Sequence, residues 1–215
     1  IDLSDPIEWD HPLSRAFVGL WLPTANRAGS QTVYDLMRAN DGAFTAASGA
    51  LPSWQNGSHD IPAVKFSGTN YVNLPRIYSG DTVTLWAWCY VSAGMGNAAP
   101  LLQVDYGGLA YRAVHISNTI PVQYGITSPG NNSRTFSGTT TASVGWHLIY
   151  VTSNGLADHK LYLDGRWEAS STTSYNYSMA TYLDAIGIGG KPGTYGFYGA
   201  YSERVGAAGL ANYAL

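Results

Sequence analysis

Residues 82–91 read Thr-Val-Thr-Leu-Trp-Ala-Trp-Cys-Tyr-Val, and this alternation constrains the chain more than any other stretch. In an extended backbone successive side chains point to opposite faces. Val83, Leu85, Ala87, Cys89 and Val91 therefore share one face, and Thr84, Trp86, Trp88 and Tyr90 share the other. The segment predicts a central strand, with its small aliphatic face toward an opposing sheet and its aromatic face beneath a curved surface or loops.

Similar runs recur between clusters of Gly, Asn, Ser and Pro. No segment before the C-terminus sustains the i, i+3, i+4 apolar spacing of an amphipathic helix for three turns. Strands are predicted at 16–22, 63–66, 71–74, 82–91, 101–104, 109–116, 121–126, 146–152, 160–163, 185–188 and 196–204. A chain of 215 residues can bury about 70% of its unfolded surface. Short strands in this number predict an all-β, two-sheet antiparallel jelly-roll sandwich, which removes both inner faces from water. Residues 128–143, rich in Gly, Asn, Ser and Thr, read as a hairpin or a long surface loop.

Composition excludes several partners. Net charge is −3 and the 11 basic residues are scattered singly, which leaves no electrostatic footprint for a phosphate backbone, so no nucleic acid is expected. The uncharged stretches 82–104 and 135–157 are broken by Gly, Ser, Asn and Thr and read as strands and turns, so no membrane insertion is expected. Cys89 is the one cysteine, which excludes an internal disulfide and a multi-Cys zinc site; it is expected to pack as a small hydrophobe. Residue 1 is Ile and no signal-like apolar region follows, so the chain is expected to be processed, excised or incomplete.

Trp146-His147-Leu148-Ile149-Tyr150-Val151-Thr152, followed by Leu161-Tyr162-Leu163-Asp164-Gly165, has the form of a hairpin with Ile149, Val151, Leu161 and Leu163 inward and an Asp-Gly turn leading onward. This pair resembles the W-H-x-V-A-V-T and L-Y-V-D-G strands of laminin-G-like, concanavalin A-like sandwich domains. Phe17 to Leu22, Val33-Tyr34-Asp35-Leu36 with Asn40-Asp41-Gly42, Val64 to Val72, Ile186 to Gly189 and Phe197-Tyr198-Gly199 fall in that family's order. The resemblance spans about residues 16 to 205 and implies a sandwich over 16–215 after a lead-in over 1–15. Trp9-Asp10-His11-Pro12-Leu13-Ser14-Arg15 is similar to the lead-in of such proteins encoded in bacterial and phage genomes. That similarity implies a cell or virion surface, outside the cell.

The same fold includes glucanases with Glu-x-Asp-x-x-Glu on one strand, which sets the acids on one face. Here Glu8-Trp9-Asp10 starts that pattern, but Leu13 stands where the second Glu is required. The five histidines lack metal-ligand spacing, no G-x-S-x-G elbow or Walker loop occurs, and Gly187-Ile188-Gly189-Gly190 reads as a strand and turn. His147, beside Trp146 at a strand start, is assigned a structural hydrogen bond. The resemblance also implies a Ca2+ site, for which Asp35, Asn40 and Asp41 are the candidate ligands. Two expected carboxylates are neutral: Asn70 stands in Phe66-Ser67-Gly68-Thr69-Asn70-Tyr71-Val72 where relatives carry Asp, and Ser202 stands in Tyr201-Ser202-Glu203 where they read I-D-E. The alternative for Asn40-Asp41-Gly42 is an Asx turn.

Aromatic residues are 13% of the chain, 16 of them Tyr and 7 Trp, and their rings can stack on the C–H faces of sugars. Candidate ligand contacts are the residues placed in loops: Trp54, Tyr106, Tyr175, Tyr177, Tyr195 and Tyr198. At strand positions, Trp21, Trp86, Trp88 and Trp146 are assigned to packing. With 11 basic and 14 acidic residues in all, much of the exterior must be neutral and polar. The expected function is a non-enzymatic recognition or assembly module that touches a surface glycan or a neighbouring structural protein, in many copies. The alternatives are a phage capsid-decoration or tail protein without a glycan ligand and, third, a glycoside hydrolase.

Overall fold

Alternation along 83–91 carries through into the structure. In this computed structural model, which describes residues 17–21, 30–37, 40–56, 62–75, 81–105, 111–128, 132–173, 183–190 and 201–212, every described element is a strand. In chain order they are β1 (Phe17–Trp21), β2 (Thr32–Val33), β3 (Gly42–Ala46), β4 (Ser53–Asn56), β5 (Pro62–Lys65), β6 (Asn70–Leu74), β7 (Val83–Val91) and β8 (Ala98–Asp105). There follow β9 (Tyr111–Ile116), β10 (Gln123–Ser128), β11 (Asn132–Ser137), β12 (Gly145–Asn154), β13 (Ala157–Leu163), β14 (Arg166–Ser171), β15 (Leu183–Ile188) and β16 (Arg204–Ala211).

Two eight-stranded antiparallel sheets result. The first runs β14-β13-β12-β7-β16-β5-β4, with β1 also paired to β16; the second runs β11-β10-β9-β8-β15-β6-β3-β2. One edge of β16 is divided between two partners, Arg204 and Val205 pairing with β5 and Ala208 to Ala211 with β1. Between the sheets lies the core. Val83, Leu85, Ala87, Cys89 and Val91 of β7, Ile149 and Val151 of β12, and Leu161 and Leu163 of β13 are buried there. They share one cluster with Val72, Leu74, Leu101, Val114, Ile116, Ile126, Ile186 and Ile188 of the second sheet. Each of the larger aliphatic side chains gains about 1.5–3 kcal/mol by leaving water.

The hairpin motif has a clear mechanical basis. Asp164 and Gly165 both have positive φ, 50° and 79°, the two-residue turn whose twist matches its flanking strands. Asp164 Oδ1 accepts the Leu148 N–H at 2.8 Å, and Oδ2 lies 2.7 Å from His147 Nδ1. His147 Nε2 in turn lies 3.0 Å from the Ser143 carbonyl. His147 therefore ties the turn to the start of β12, the structural role assigned to it.

Of the two alternatives for 128–143, a hairpin or a long loop, the described residues favour the hairpin up to Ser137, since β10 and β11 pair from Gln123–Ser137 to Ser128–Asn132. Two differences from the sequence reading stand out. Strands β2, β3, β4, β11 and β14 are short or polar and fell outside the predicted set. The final described strand is β16; of the predicted 196–204, residues 196–200 lie outside the described residues, 201–203 are not in a strand, and Arg204 opens β16. Its Arg-Val-Gly-Ala-Ala-Gly-Leu-Ala sequence has weak strand propensity. Small residues are needed there because indole rings cover it, as described next.

Candidate functional site: the aromatic face of the first sheet

The outward residues of the first sheet gather the aromatics that alternate with its core. Strand register sets Tyr90 opposite Trp146, Trp88 opposite Leu148 and Trp86 opposite Tyr150. Tyr150 is in turn opposite Tyr162 on β13, and Tyr162 is opposite Trp167 on β14. Trp86, Trp88, Tyr90, Trp146, Tyr150 and Tyr162 are half-buried, and Trp167 is 61% exposed. Beyond Trp86 and Tyr150 the patch stops at Thr84 and Thr152, which are buried. Of the tryptophans assigned to packing, Trp21 is fully buried, while Trp86, Trp88 and Trp146 are half-buried and pack on one another and on β16 at the outer face.

Ring geometry divides the face into two parts. Trp88 and Trp146 stack with centroids 5.9 Å apart and planes 13° apart, and Tyr90 meets Trp146 edge-on at 5.7 Å. The Arg204 guanidinium lies 4.1 Å from the Tyr90 centroid and 5.6 Å from that of Trp146, a cation over two ring systems. In the second part, Tyr150 and Tyr162 stack at 4.5 Å with planes 7° apart. Burial, then the neighbouring Tyr162 phenol, raises Tyr150 above the ordinary tyrosine value, so its hydroxyl stays protonated. Trp86 lies over Gly209 of β16, where a Cβ would overlap the indole; at Gly206 a Cβ would come within 2.9 Å of Trp88.

The polar tips of this face are uncommitted. Among the described residues, no hydrogen bond engages the indole N–H of Trp86, Trp88, Trp146 or Trp167, or the hydroxyl of Tyr150 or Tyr162. Buried Trp and Tyr tips usually find a partner, so a cluster of open ones beside ring surface is suited to an amphipathic ligand.

The loop-based site residues fare differently. Trp54 lies in strand β4, not in a loop, with its ring 5.3 Å from Phe44 and its Nε1 donating to the Ser30 carbonyl at 2.7 Å. Its polar tip is consumed internally. Tyr106, Tyr175, Tyr177, Tyr195 and Tyr198 lie outside the described residues.

Asp35, Asn40 and Asp41 are brought together, in a clasp between β1 and the segment after β2. Asp35 Oδ1 accepts the N–H groups of Leu20 at 2.9 Å and Met37 at 3.0 Å, and Oδ2 accepts Asn40 Nδ2 at 3.3 Å. Asp41 Oδ1 accepts the Asp35 N–H at 2.9 Å, and Trp21 Nε1 donates to the Asn40 carbonyl at 2.9 Å. The Asx turn therefore forms at Asp35, which is 2% exposed and whose carboxylate accepts three N–H donors. Among the described residues no three His, Cys, Asp or Glu side chains gather as a metal set. Asn70 shows why an amide replaces the expected acid: Oδ1 accepts the Ser67 N–H while Nδ2 donates to the Ala50 carbonyl at 2.8 Å, a donation that a carboxylate cannot make.

Other carboxylates are likewise engaged. Asp81 pairs with Arg112 at 2.8 Å and Glu203 with Lys65 at 2.8 Å. Glu168 accepts from Thr139 N and Thr140 N; burial raises its carboxyl, and the hydrogen bonds from Thr140 and Thr139 together outweigh that and hold it below the ordinary value. A polar cleft of about 330 Å³ opens at the rim, bounded by 92–98 and Ser202.

This two-sheet antiparallel sandwich has the concanavalin A-like fold. Solved structures share it at low identity. Domain 4 of AbnA, a GH43 extracellular arabinanase from Geobacillus stearothermophilus in complex with arabinotriose, superposes with a TM-score of 0.70 over 93% of each chain at 12% identity. Trypanosoma rangeli sialidase gives 0.62 at 18% identity, over 94% of this chain and 31% of that one. The receptor binding domain of botulinum neurotoxin mosaic serotype C/D gives 0.59 at 12% identity, over 94% and 49%. No protein family and no curated protein matches the sequence.

Proposed function

We propose that this chain is a non-enzymatic, extracellular recognition module that binds carbohydrate through aromatic side chains. The observation that carries the reading is the outer face of the first sheet, where seven aromatic side chains stand together and the polar tips of six engage no hydrogen bond among the described residues. Ring surface suits sugar C–H faces, and open N–H and O–H groups suit sugar hydroxyls. Sharing a sandwich with an arabinotriose-bound domain of an extracellular enzyme supports a glycan and an extracellular setting. Among the described residues, the engaged carboxylates of Asp35, Asp81, Asp164, Glu168 and Glu203 support binding without hydrolysis, which needs a facing pair of free acids. Tyr106, Tyr175, Tyr177, Tyr195 and Tyr198 are proposed as further contacts.

Single-site affinity is expected near millimolar to tens of micromolar, about −4 to −6 kcal/mol, with strength gained from multiple copies. Glycan-array screening followed by calorimetry tests this. Wild type should bind at least one glycan class, and Tyr150→Ala with Tyr162→Ala should weaken it about tenfold or more while circular dichroism stays unchanged. Absence of binding across broad neutral and acidic classes would overturn the reading.

A further inference from the structure

We infer that the ligand is a linear, uncharged polysaccharide lying across the strands of the first sheet, along the row Trp86, Tyr150, Tyr162 and Trp167; the inference rests on the carbohydrate reading above. Register places these four residues directly opposite one another on β7, β12, β13 and β14. Neighbouring strands lie about 4.8 Å apart, so the row extends about 14 Å at right angles to them. A sugar ring with its linking oxygen spans a comparable distance along an extended glycan. One sugar can therefore meet each strand.

The row is not uniform, and its pattern sets how a chain is held. Its two ends offer ring surface: Trp86 is half-exposed over Gly209, and Trp167 is 61% exposed. Its middle is the parallel Tyr150–Tyr162 pair, too close to admit a sugar between the rings, with two open hydroxyls. Stacking thus falls at the ends and hydrogen bonding at the centre. A disaccharide reaches only one end, whereas about four sugars engage both.

Charge selects the chemical class. No acidic or basic side chain stands in the row; Lys160 lies one row away opposite Thr152, and Arg204 is held over Tyr90 and Trp146. Within the row itself, though not beside it where Lys160 and the exposed Arg166 stand, a uronic-acid or sulfated chain would find no cation to match its charges. Open donor tips also argue against a dry contact with a second copy of this chain, which would bury them unpaired.

Calorimetry on the whole protein with arabino-, xylo-, gluco- and manno-oligosaccharides of two to six sugars tests the inference. For at least one series, affinity should rise about tenfold from two to four sugars and then level. Trp167→Ala should cut that rise to threefold or less, while Val144→Ser, at an exposed position off the row, should leave it intact. Binding without length dependence, an unaltered rise in Trp167→Ala, or preference for a uronic-acid or sulfated chain would overturn this inference and leave the broader function standing. Failure of every glycan to bind, together with a dimer that Trp167→Ala dissociates, would overturn both.

Discussion

Two buried histidines make individual residues answer to acid. His115 sits on β9 with its Nδ1 buried and unpartnered, and burial pushes it down to about 4. His159 is fully buried on β13, its Nδ1 2.9 Å from Ser153 Oγ; burial first and the Arg112 charge second, against opposing pulls from a Leu156 backbone hydrogen bond and from Asp158, also bring it to about 4. The unfolded chain takes up protons near pH 6.5 that the folded chain refuses until about pH 4. Stability should be intact above pH 6.5 and fall as pH drops toward 4, by up to about 3 kcal/mol for each histidine. Urea unfolding of wild type and His115→Phe at pH 7 and pH 4.5 checks this, and the variant should lose less between the two pH values. Cys89, by contrast, is expected to stay chemically silent in the fold, since burial pushes its thiol up to about 12.

At the scale of elements, β7 and the β12–β13 hairpin were legible because their alternation is strict and both faces carry recognisable side chains. That same double-sidedness hid the candidate site. A strand apolar on both faces reads as covered on both, and nothing in 82–91 says which cover is missing. The available signal lay elsewhere, in the small residues of β16, whose Gly206 and Gly209 leave space for Trp88 and Trp86. Gly209→Ala should therefore lift the Trp86 indole from the sheet and cost about 1–3 kcal/mol. Thermal unfolding together with the tryptophan emission spectrum would register both effects, and an unchanged spectrum would contradict the placement. Trp54 was misjudged for a related reason: polar neighbours suggested a loop, yet an edge strand needs only its inner side chains to be apolar.

For the whole molecule, the sandwich and its core followed from strand number and inward residues, while Asp35, Asn40 and Asp41, named for Ca2+, stand in a clasp in which Asp35 accepts three N–H donors and Asp41 one. Chelation with EDTA should accordingly leave both unfolding temperature and glycan affinity unchanged; a fall in either, restored by Ca2+, would show that a cation holds this region. The placement of β16 carries one last consequence. It is the final described strand in sequence, yet it fills the middle of the first sheet, bonded to β7 on one side and to β1 and β5 on the other. During synthesis the ribosome must release this segment before the sheet can join its two halves, so earlier strands wait with open edges and depend on fast closure, or on a chaperone, to avoid sticking to one another.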